Sequence, residues 1–570
     1  MTEKTTLSGM MIEHDHERSA AGILRFCLSV VSCLYCVLLF FFLPLFFHDK
    51  YFDIGVSKYR FFFCITTGML AVTALLTAAY IAVRLKNKET DPVLIIERIK
   101  DISMVDKAAL IYLLACFISY FLSPYNTWAI GFKNVENPPL TGRTGWSMGL
   151  ISQVLFVGIY FTISRFSDRA FRKIIMGALF AGSLISSILA ILNRFSVDPL
   201  GFYAGISPYY RILFLSTLGQ ATWYSSYLST VFPVGLAMFI YERRSRYRGF
   251  YVLYIIVSSM SLVTQNSDSA YIALCAALLV LFAFALDSNN YFTRYFQLII
   301  LILLSFRLAG LLQLAFPDSA VLPDRLSLFF SKSTAALVVT VILIILYIAY
   351  SVFQMTHDIV IRRVRIIRTA VLMLAMIAVV FLASVLILSA YGIYVPFLKS
   401  DYFIFNDNWG NGRGFTWRIT MEMFAKLPLA NKLFGVGPDC YANYAYEFRS
   451  AQMRAVWGDK VLANAHNEWL NTLFTLGIFG FLSYAGFFAV SFVSFINKKR
   501  AYALSIAAAA VIAAYVGHNF FCYQQVLCTP FVFAIIGLCT AIEKSFRRRK
   551  GAYRRAGTGT EKTPGKKHML

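Results

Sequence analysis

The sequence predicts an all-α polytopic membrane protein with about 14 transmembrane helices (range 12–14) and a large extracytoplasmic loop containing short helices. Three observations carry this. Of 570 residues, 58% are hydrophobic and only 14% charged, against roughly 25% charged in soluble domains. The apolar residues come in blocks long enough to cross a bilayer. The 53 basic and 29 acidic residues leave a net charge of +24. The basic residues lie in alternate short connections and in the tail, which is a topology signal and implies no nucleic-acid partner.

In chain order, the apolar blocks fall at 23–47, 61–83, 108–123, 147–164, 174–192, 223–241, 250–265, 270–287, 296–315, 333–354, 369–393, 466–495, 502–517 and 521–542. One alternating set of connections holds Arg84/Lys86/Lys88, Arg165/Arg169/Arg172/Lys173, Arg243/Arg244/Arg246/Arg248, Arg362/Arg363/Arg365/Arg368, Lys498/Lys499/Arg500 and the tail from 544. The positive-inside rule then puts both termini in the cytoplasm, as an even number of spans requires. The organisation expected is a cytoplasmic segment 1–22, a transmembrane domain 23–542 containing the extracytoplasmic loop 394–465, and a basic, disordered cytoplasmic tail 543–570 lying against anionic headgroups. The first 22 residues are polar and the apolar stretch behind them is long enough to span, so no cleavable signal peptide is expected. Outer connections are expected at 124–146, 194–222, 316–332 and 394–465; the last is too long to be structureless and is the place to look for function. Cys33 and Cys36 form a CxxC inside a lipid-length helix, where they read as small apolar filler.

One block begins unusually. "ANAHNEWLNTLFTLGIFG" (463–480) carries Asn464, His466, Asn467 and Glu468 at its head, and unpartnered polar groups are costly in hydrocarbon. On a helical period His466 shares a face with Leu470, Leu473, Gly477 and Gly480. The two glycines would let another helix approach and so turn His466 into the bundle, where an ionisable group is a functional candidate. The plainer alternative is a hydrogen-bonded histidine at headgroup level. The preceding loop holds Arg413 and Arg418 beside Gly412 and Gly414. A guanidinium fork suits phosphate, but this loop is rich in Lys and Arg, so ordinary surface charge also accounts for them. "GVGPD" (435–439) reads as a turn. His518, in "GHNFF", is a second candidate histidine, with a packed helix end as its plainer reading. Glu468 is a candidate to orient His466 or to act as a base, and Asp439 is a weaker one. HExxH, Walker A, zinc-spaced CxxC pairs and GxSxG are missing from the sequence.

"HNEWLNTLFTLGIFG" resembles the O-antigen ligase pattern of His, then Asn/Ser/Gln, nine residues, Gly, two residues, and Gly/Thr/Tyr, filled here by His466, Asn467, Gly477 and Gly480. Upstream, Gly412, Arg413, Trp417 and Phe434–Gly437 look like that family's Gly-Arg, Trp and Gly-x-Gly signature, and "STLGQATWYSSYL" (216–228) is similar to a weaker segment. The family comprises O-antigen ligases, O-antigen polymerases and protein O-oligosaccharyltransferases. The resemblance implies a glycosyltransferase that needs no metal or cofactor. It would take saccharide from an undecaprenyl-diphosphate carrier at the outer face of the bacterial cytoplasmic membrane, out of the membrane lipid, and pass it to a glycan, lipid or protein acceptor. It implies that His466 helps activate the acceptor hydroxyl and that Arg413 steadies the departing diphosphate. Asn467, Trp417, Arg418, Glu468 and His518 are expected around the substrate. One departure stands out. Asp268, in "TQNSDSAY", occupies a place where the family often has Arg. A second basic contact would then come from Arg418, Arg211, Arg143 (in "LTGRTGW") or Arg325, and a polymerase or a ligase for another surface polymer is favoured over a lipopolysaccharide ligase. A transporter or flippase of lipid-linked precursors is the competing class. It should show paired broken helices or coupling residues near mid-membrane, whereas the polar groups here cluster on the outer side.

Overall fold

Each of the fourteen apolar blocks is helical in the computed structural model, which describes residues 19–87, 102–126, 138–145, 147–242, 244–357, 364–398, 400–496 and 503–556. The chain opens with α1 (Ala20–Leu45), α2 (Ile54–Lys86), α3 (Met104–Leu122), α4 (Leu150–Phe166) and α5 (Arg172–Arg194). A two-residue hairpin pairs Phe214–Leu215 with Gly219–Gln220. Then come α6 (Ala221–Tyr241), α7 (Ser245–Thr264), α8 (Ser269–Ala285), α9 (Asn289–Ala315) and the short α10 (Arg325–Lys332). The pair α11 (Thr334–Thr356) and α12 (Val364–Ala390) lies at the rim, with only 11% and 6% of their apolar windows buried. Four helices fill the long connection: α13 (Trp409–Lys426), α14 (Leu429–Phe434), α15 (Tyr441–Phe448) and α16 (Ser450–Trp457). The chain closes with α17 (Glu468–Ile496), α18 (Ala503–His518) and α19 (Thr529–Ala556). Among the described residues, nine helices are long and apolar enough to cross a membrane, and α4, α8 and α18 are shorter apolar ones. Two edges differ from expectation. The last block starts at Thr529, because the polar run Asn519, Gln524 and Gln525 is drawn into side-chain hydrogen bonds. Its helix also continues beyond 542 to Ala556, into the stretch expected to be disordered. Residues 1–18 and 557–570, and Lys88, Arg243, Arg362, Arg363 and Lys498–Arg500 of the charge pattern, lie outside the described residues.

Hydrogen bonds sort the connections into two ends, as the alternating charge pattern requires. At one end Asp106, fully buried at the start of α3, accepts from Lys544 (2.9 Å), Arg165 (3.1 Å) and Tyr160 (2.6 Å). Arg368 pairs with Asp287 at 2.6 Å, and Arg294 caps the carbonyls of Ile240 and Glu242. At the other end Val321 donates to the Arg194 carbonyl (2.9 Å), Asn266 to that of Leu322 (2.8 Å), and Tyr402 to Asp268 (3.2 Å). The cluster at Asp106 satisfies a charge that would otherwise be stranded.

The segment between α12 and α17 has its own small core, in which Phe415, Ile419, Met423, Tyr441 and Met453 pack against Phe474 of α17. Its attachment is a backbone contact. α17 breaks at Gly477 (φ 72°, ψ −174°), which frees carbonyls in the preceding turn. Val436 and Gly437 donate their N–H groups to the carbonyls of Phe474 (3.3 Å) and Thr475 (2.9 Å), and Ser119 of α3 adds a bond to Thr475 O (3.0 Å). "GVG" is therefore the strip that pairs with the broken helix. A Cβ on Gly435 would lie 2.1 Å from the Thr475 carbonyl oxygen, and one on Gly477 2.4 Å from Leu433. The sequence suggested that Gly477 and Gly480 admit a neighbouring helix. Gly477 does so, admitting the end of α14, whereas Gly480 faces its own Leu476 across the kink.

Gly435→Ala is expected to destabilise the protein by about 2 kcal/mol or more, since strain at φ 82° adds to a backbone clash. Gly68→Ala, with open space around it, should be neutral or slightly stabilising. Thermal unfolding of the two variants in detergent checks this, and equal midpoints would remove the contact from the account of the fold.

Candidate active site

The polar head of α17 is anchored by Glu468, which is 1% exposed. Its N–H donates to the Asn519 carbonyl at 2.9 Å. Its carboxylate accepts from Tyr515 (2.9 and 3.1 Å), Tyr484 and Asn519. A buried carboxylate needs such donors. This cage turns Glu468 into the bundle, and its carboxylate makes no direct hydrogen bond to His466.

His466 lies just ahead of the helix, in a left-handed conformation (φ 50°). Asn464 Oδ1 accepts its N–H at 2.9 Å, an Asx turn that favours this bend. Asn467 Oδ1 caps α17 by accepting the Leu470 N–H at 3.0 Å. The bend takes His466 off the helical face of Leu470, Leu473, Gly477 and Gly480, which corrects the helical reading: the period does not extend across a left-handed residue. The imidazole stacks near Trp457 (centroids 6.1 Å, 24°) and meets the edge of Tyr523 (5.3 Å, 67°). Tyr523 in turn accepts from Trp223 Nε1 at 2.9 Å, which brings the 216–228 segment to the site. The ring nitrogens of His466 make no hydrogen bond to a described residue. Burial first, and then the charge of Arg413, push its pKa down to about 3, so the ring is neutral near neutral pH.

Arg413 is delivered by three successive left-handed residues, Gly410 (φ 59°), Asn411 (φ 60°) and Gly412 (φ 82°), the residue types that tolerate this region. The turn folds its Nη1 back onto the Gly410 carbonyl (2.7 Å), and Nη2 reaches the Phe521 carbonyl (3.1 Å). Nε is buried without a partner, and no described carboxylate pairs with the guanidinium. A charged fork with donors to spare is what an incoming anion requires. Gly412 also leaves room for Trp457, whose ring would lie 3.3 Å from an added Cβ. Trp457 therefore packs against both the Arg413 turn and His466.

The remaining candidates divide. Trp417 packs against Trp409 (5.2 Å) and Phe521 (5.9 Å) and so buttresses the carbonyl that holds Arg413. Arg418 is held by Asp407 through two bonds (2.9 and 2.7 Å) and by Glu422 (2.8 Å), so its fork is already filled. Arg143 and Met148 donate their backbone N–H groups to Asp439 Oδ2 (2.8 and 3.0 Å), while the Arg143 guanidinium makes no hydrogen bond to a described residue. Burial raises the Asp439 pKa to about 6. Arg211 sits over Tyr203 (5.9 Å) and Arg325 pairs with Asp401 (2.8 Å); neither touches His466 or Arg413. His518 is fully buried, with Nε2 on Ser225 (2.8 Å) and Ser269 (3.1 Å) and Nδ1 on Asn519 (2.9 Å), the arrangement of a packed helix end. Asp268 stands within the field of Arg413; burial and Asp324 raise its pKa while Tyr402 and Arg413 oppose the rise. Sequence reasoning missed Trp457 and Tyr523. Both are single aromatics in an aromatic-rich chain, and no spacing marks them.

Residues 319–485 match the O-antigen ligase family model, and this supports placing the chain in the O-antigen ligase and polymerase family. No curated protein matches it. The matched span contains Arg413, Trp417, Arg418, His466, Asn467 and Glu468, and leaves out Arg143, Arg211, Asp268 and His518. The match over residues 319–485 supports a glycosyltransferase-like role in polysaccharide assembly, and the apolar helices support a multi-pass membrane protein.

Glu468→Ala should leave Tyr484, Tyr515 and Asn519 without their acceptor, at about 1–3 kcal/mol for each orphaned donor, whereas Glu468→Gln keeps one acceptor oxygen and should lose less. Thermal unfolding in detergent reads the order, and the reverse order would deny the carboxylate its anchoring role.

Proposed function

We propose that the protein transfers or polymerises saccharide from an undecaprenyl-diphosphate carrier at the outer face of the bacterial cytoplasmic membrane. The observation that carries this is one site holding a neutral imidazole, His466, within the field of a guanidinium with unfilled donors, Arg413. In the proposed reaction the acceptor hydroxyl gives its proton to a free ring nitrogen of His466. Its oxygen bonds the anomeric carbon of the donor sugar as the bond from that carbon to the diphosphate oxygen breaks. The lipid diphosphate leaves with the electron pair and is steadied by Arg413. The basic residues of the opposite set of connections support the outward orientation of this end.

An imidazole with a pKa of about 3 is a weak base. The bound diphosphate corrects this by offsetting the Arg413 charge and adding negative potential, so the base strengthens when donor is present. In purified protein supplied with lipid-linked oligosaccharide, His466→Ala should abolish transfer while inserting and folding normally. Arg413→Lys should lower kcat on the order of 10²-fold, because a point charge cannot reproduce the fork. Undiminished turnover in either variant would remove that residue from the reaction. The base acts when deprotonated, so activity is lost only as pH falls through its pKa. The kcat/KM profile, which reports free enzyme, should show no acid limb from His466 between about pH 5 and 8, and the kcat profile should have its acid limb at higher pH. Coincident limbs would contradict the coupling of donor charge to the imidazole.

A further inference from the structure

The imidazole of His466 and the guanidinium of Arg413 come from different parts of the chain, and two elements touch the neighbourhood of both. One is the turn after α18. Its Phe521 carbonyl receives Arg413 Nη2 at 3.1 Å, and the edge of its Tyr523 meets the imidazole (5.3 Å, 67°). Tyr523 is itself held by Trp223 Nε1 at 2.9 Å. The other is Trp457, the last residue of α16. Its ring stacks near the imidazole (centroids 6.1 Å, 24°), and the same indole lies 3.3 Å from where a Cβ on Gly412 would stand, directly before Arg413. A buried indole N–H normally finds an acceptor. Those of Trp223, Trp409 and Trp469 do. Among the described tryptophans, Trp417 and Trp457 have a buried Nε1 without a partner. These two pack on the Phe521 that receives Arg413 and on the turn that delivers it. At 457 the polar end of the ring therefore adds no bond. What the indole supplies is its flat face, offered to the turn and to the imidazole together. Packing alone sets where that ring sits, so a shift of either neighbour is passed to the other.

We propose that Trp457 is a positioning residue for the reaction: its indole holds the Arg413 turn and the His466 imidazole in register, so that the fork and the base act as a unit. This rests on the function proposed above. Trp457 moves no proton and forms no bond in that reaction. It acts through the two residues that do, and the aromatic face is the part of it that matters.

The test compares full-length wild type, Trp457→Leu, Trp457→Phe, Arg413→Lys and the Trp457→Leu/Arg413→Lys double variant on lipid-linked oligosaccharide, with rates taken per folded molecule. Trp457→Leu removes the face and should lower kcat about tenfold, with KM for the lipid-linked donor changed by less than about threefold. Trp457→Phe keeps an aromatic face and should stay within about threefold of wild type. Added to Arg413→Lys, Trp457→Leu should lower kcat by less than about a further threefold, because the unit is already broken. Unchanged kcat in Trp457→Leu, no advantage of Phe over Leu, or losses that multiply in the double variant overturn the assignment. Should Trp457→Leu fail to fold, Trp457→Met carries the same comparison. A second readout needs no transfer: carbethoxylation of His466 by diethyl pyrocarbonate, followed by peptide mass spectrometry, should be about threefold faster in Trp457→Leu than in wild type or Trp457→Phe. An unchanged rate there also overturns the positioning role. Wild type that transfers nothing refutes the proposed function, whereas wild-type transfer with an unaffected Trp457→Leu refutes the role of Trp457 alone.

Discussion

A carboxylate at the mouth of a membrane helix needs donors on every side, and meeting that need for Glu468 fixes the rest of the site. The donors come from α17 itself (Tyr484), from α18 (Tyr515) and from the turn that follows it (Asn519). Asn519 also holds His518, so the polar ends of α17 and α18 form one network. With Glu468 fixed, the two residues before it have little freedom. Asn467 must cap the helix, and His466 must turn left-handed to leave it. The imidazole then meets Trp457 and Tyr523.

The guanidinium arrives by a separate route. A glycine-asparagine-glycine turn aims Arg413, the Phe521 carbonyl receives it, and the aromatic group of Trp409, Trp417 and Phe521 supports that carbonyl. The two routes meet because α13–α16 pack as one small core on α17, and the backbone strip at Val436–Gly437 pairs with carbonyls that the break at Gly477 has released. Position in the site thus comes from backbone geometry, and electrostatics follows: burial and the neighbouring charge act on the imidazole in the same direction.

Fold class and helix positions were legible because lipid-length apolar blocks and alternating basic connections are one-dimensional signals. His466 and Arg413 stand out in the sequence as candidates, through motif and chemistry. Their geometry was not. A 3.6-residue period says nothing about where a left-handed residue ends it, so His466 was placed on a helical face it does not share. The glycines at 435 and 477 carry matching constraints from distant parts of the chain, and no local pattern shows that they face one another. Arg418 looked equivalent to Arg413 in sequence and differs only because Asp407 and Glu422 fill its fork. Asp268 was noted as an odd residue type, and its place in the field of Arg413 emerges only from tertiary structure.

The rim pair α11 and α12, with 11% and 6% of their apolar windows buried, gives up almost none of its surface to other side chains. Acyl chains solvate leucine, isoleucine, valine and phenylalanine alike, so exchange among them there alters no packing. Length and overall apolarity are what such helices must preserve. Drift should therefore be fast along 334–390 and slow across the glycine-bound strip and the polar mouth of α17, leaving a chain whose evolutionary clock runs at two speeds within a single matched segment.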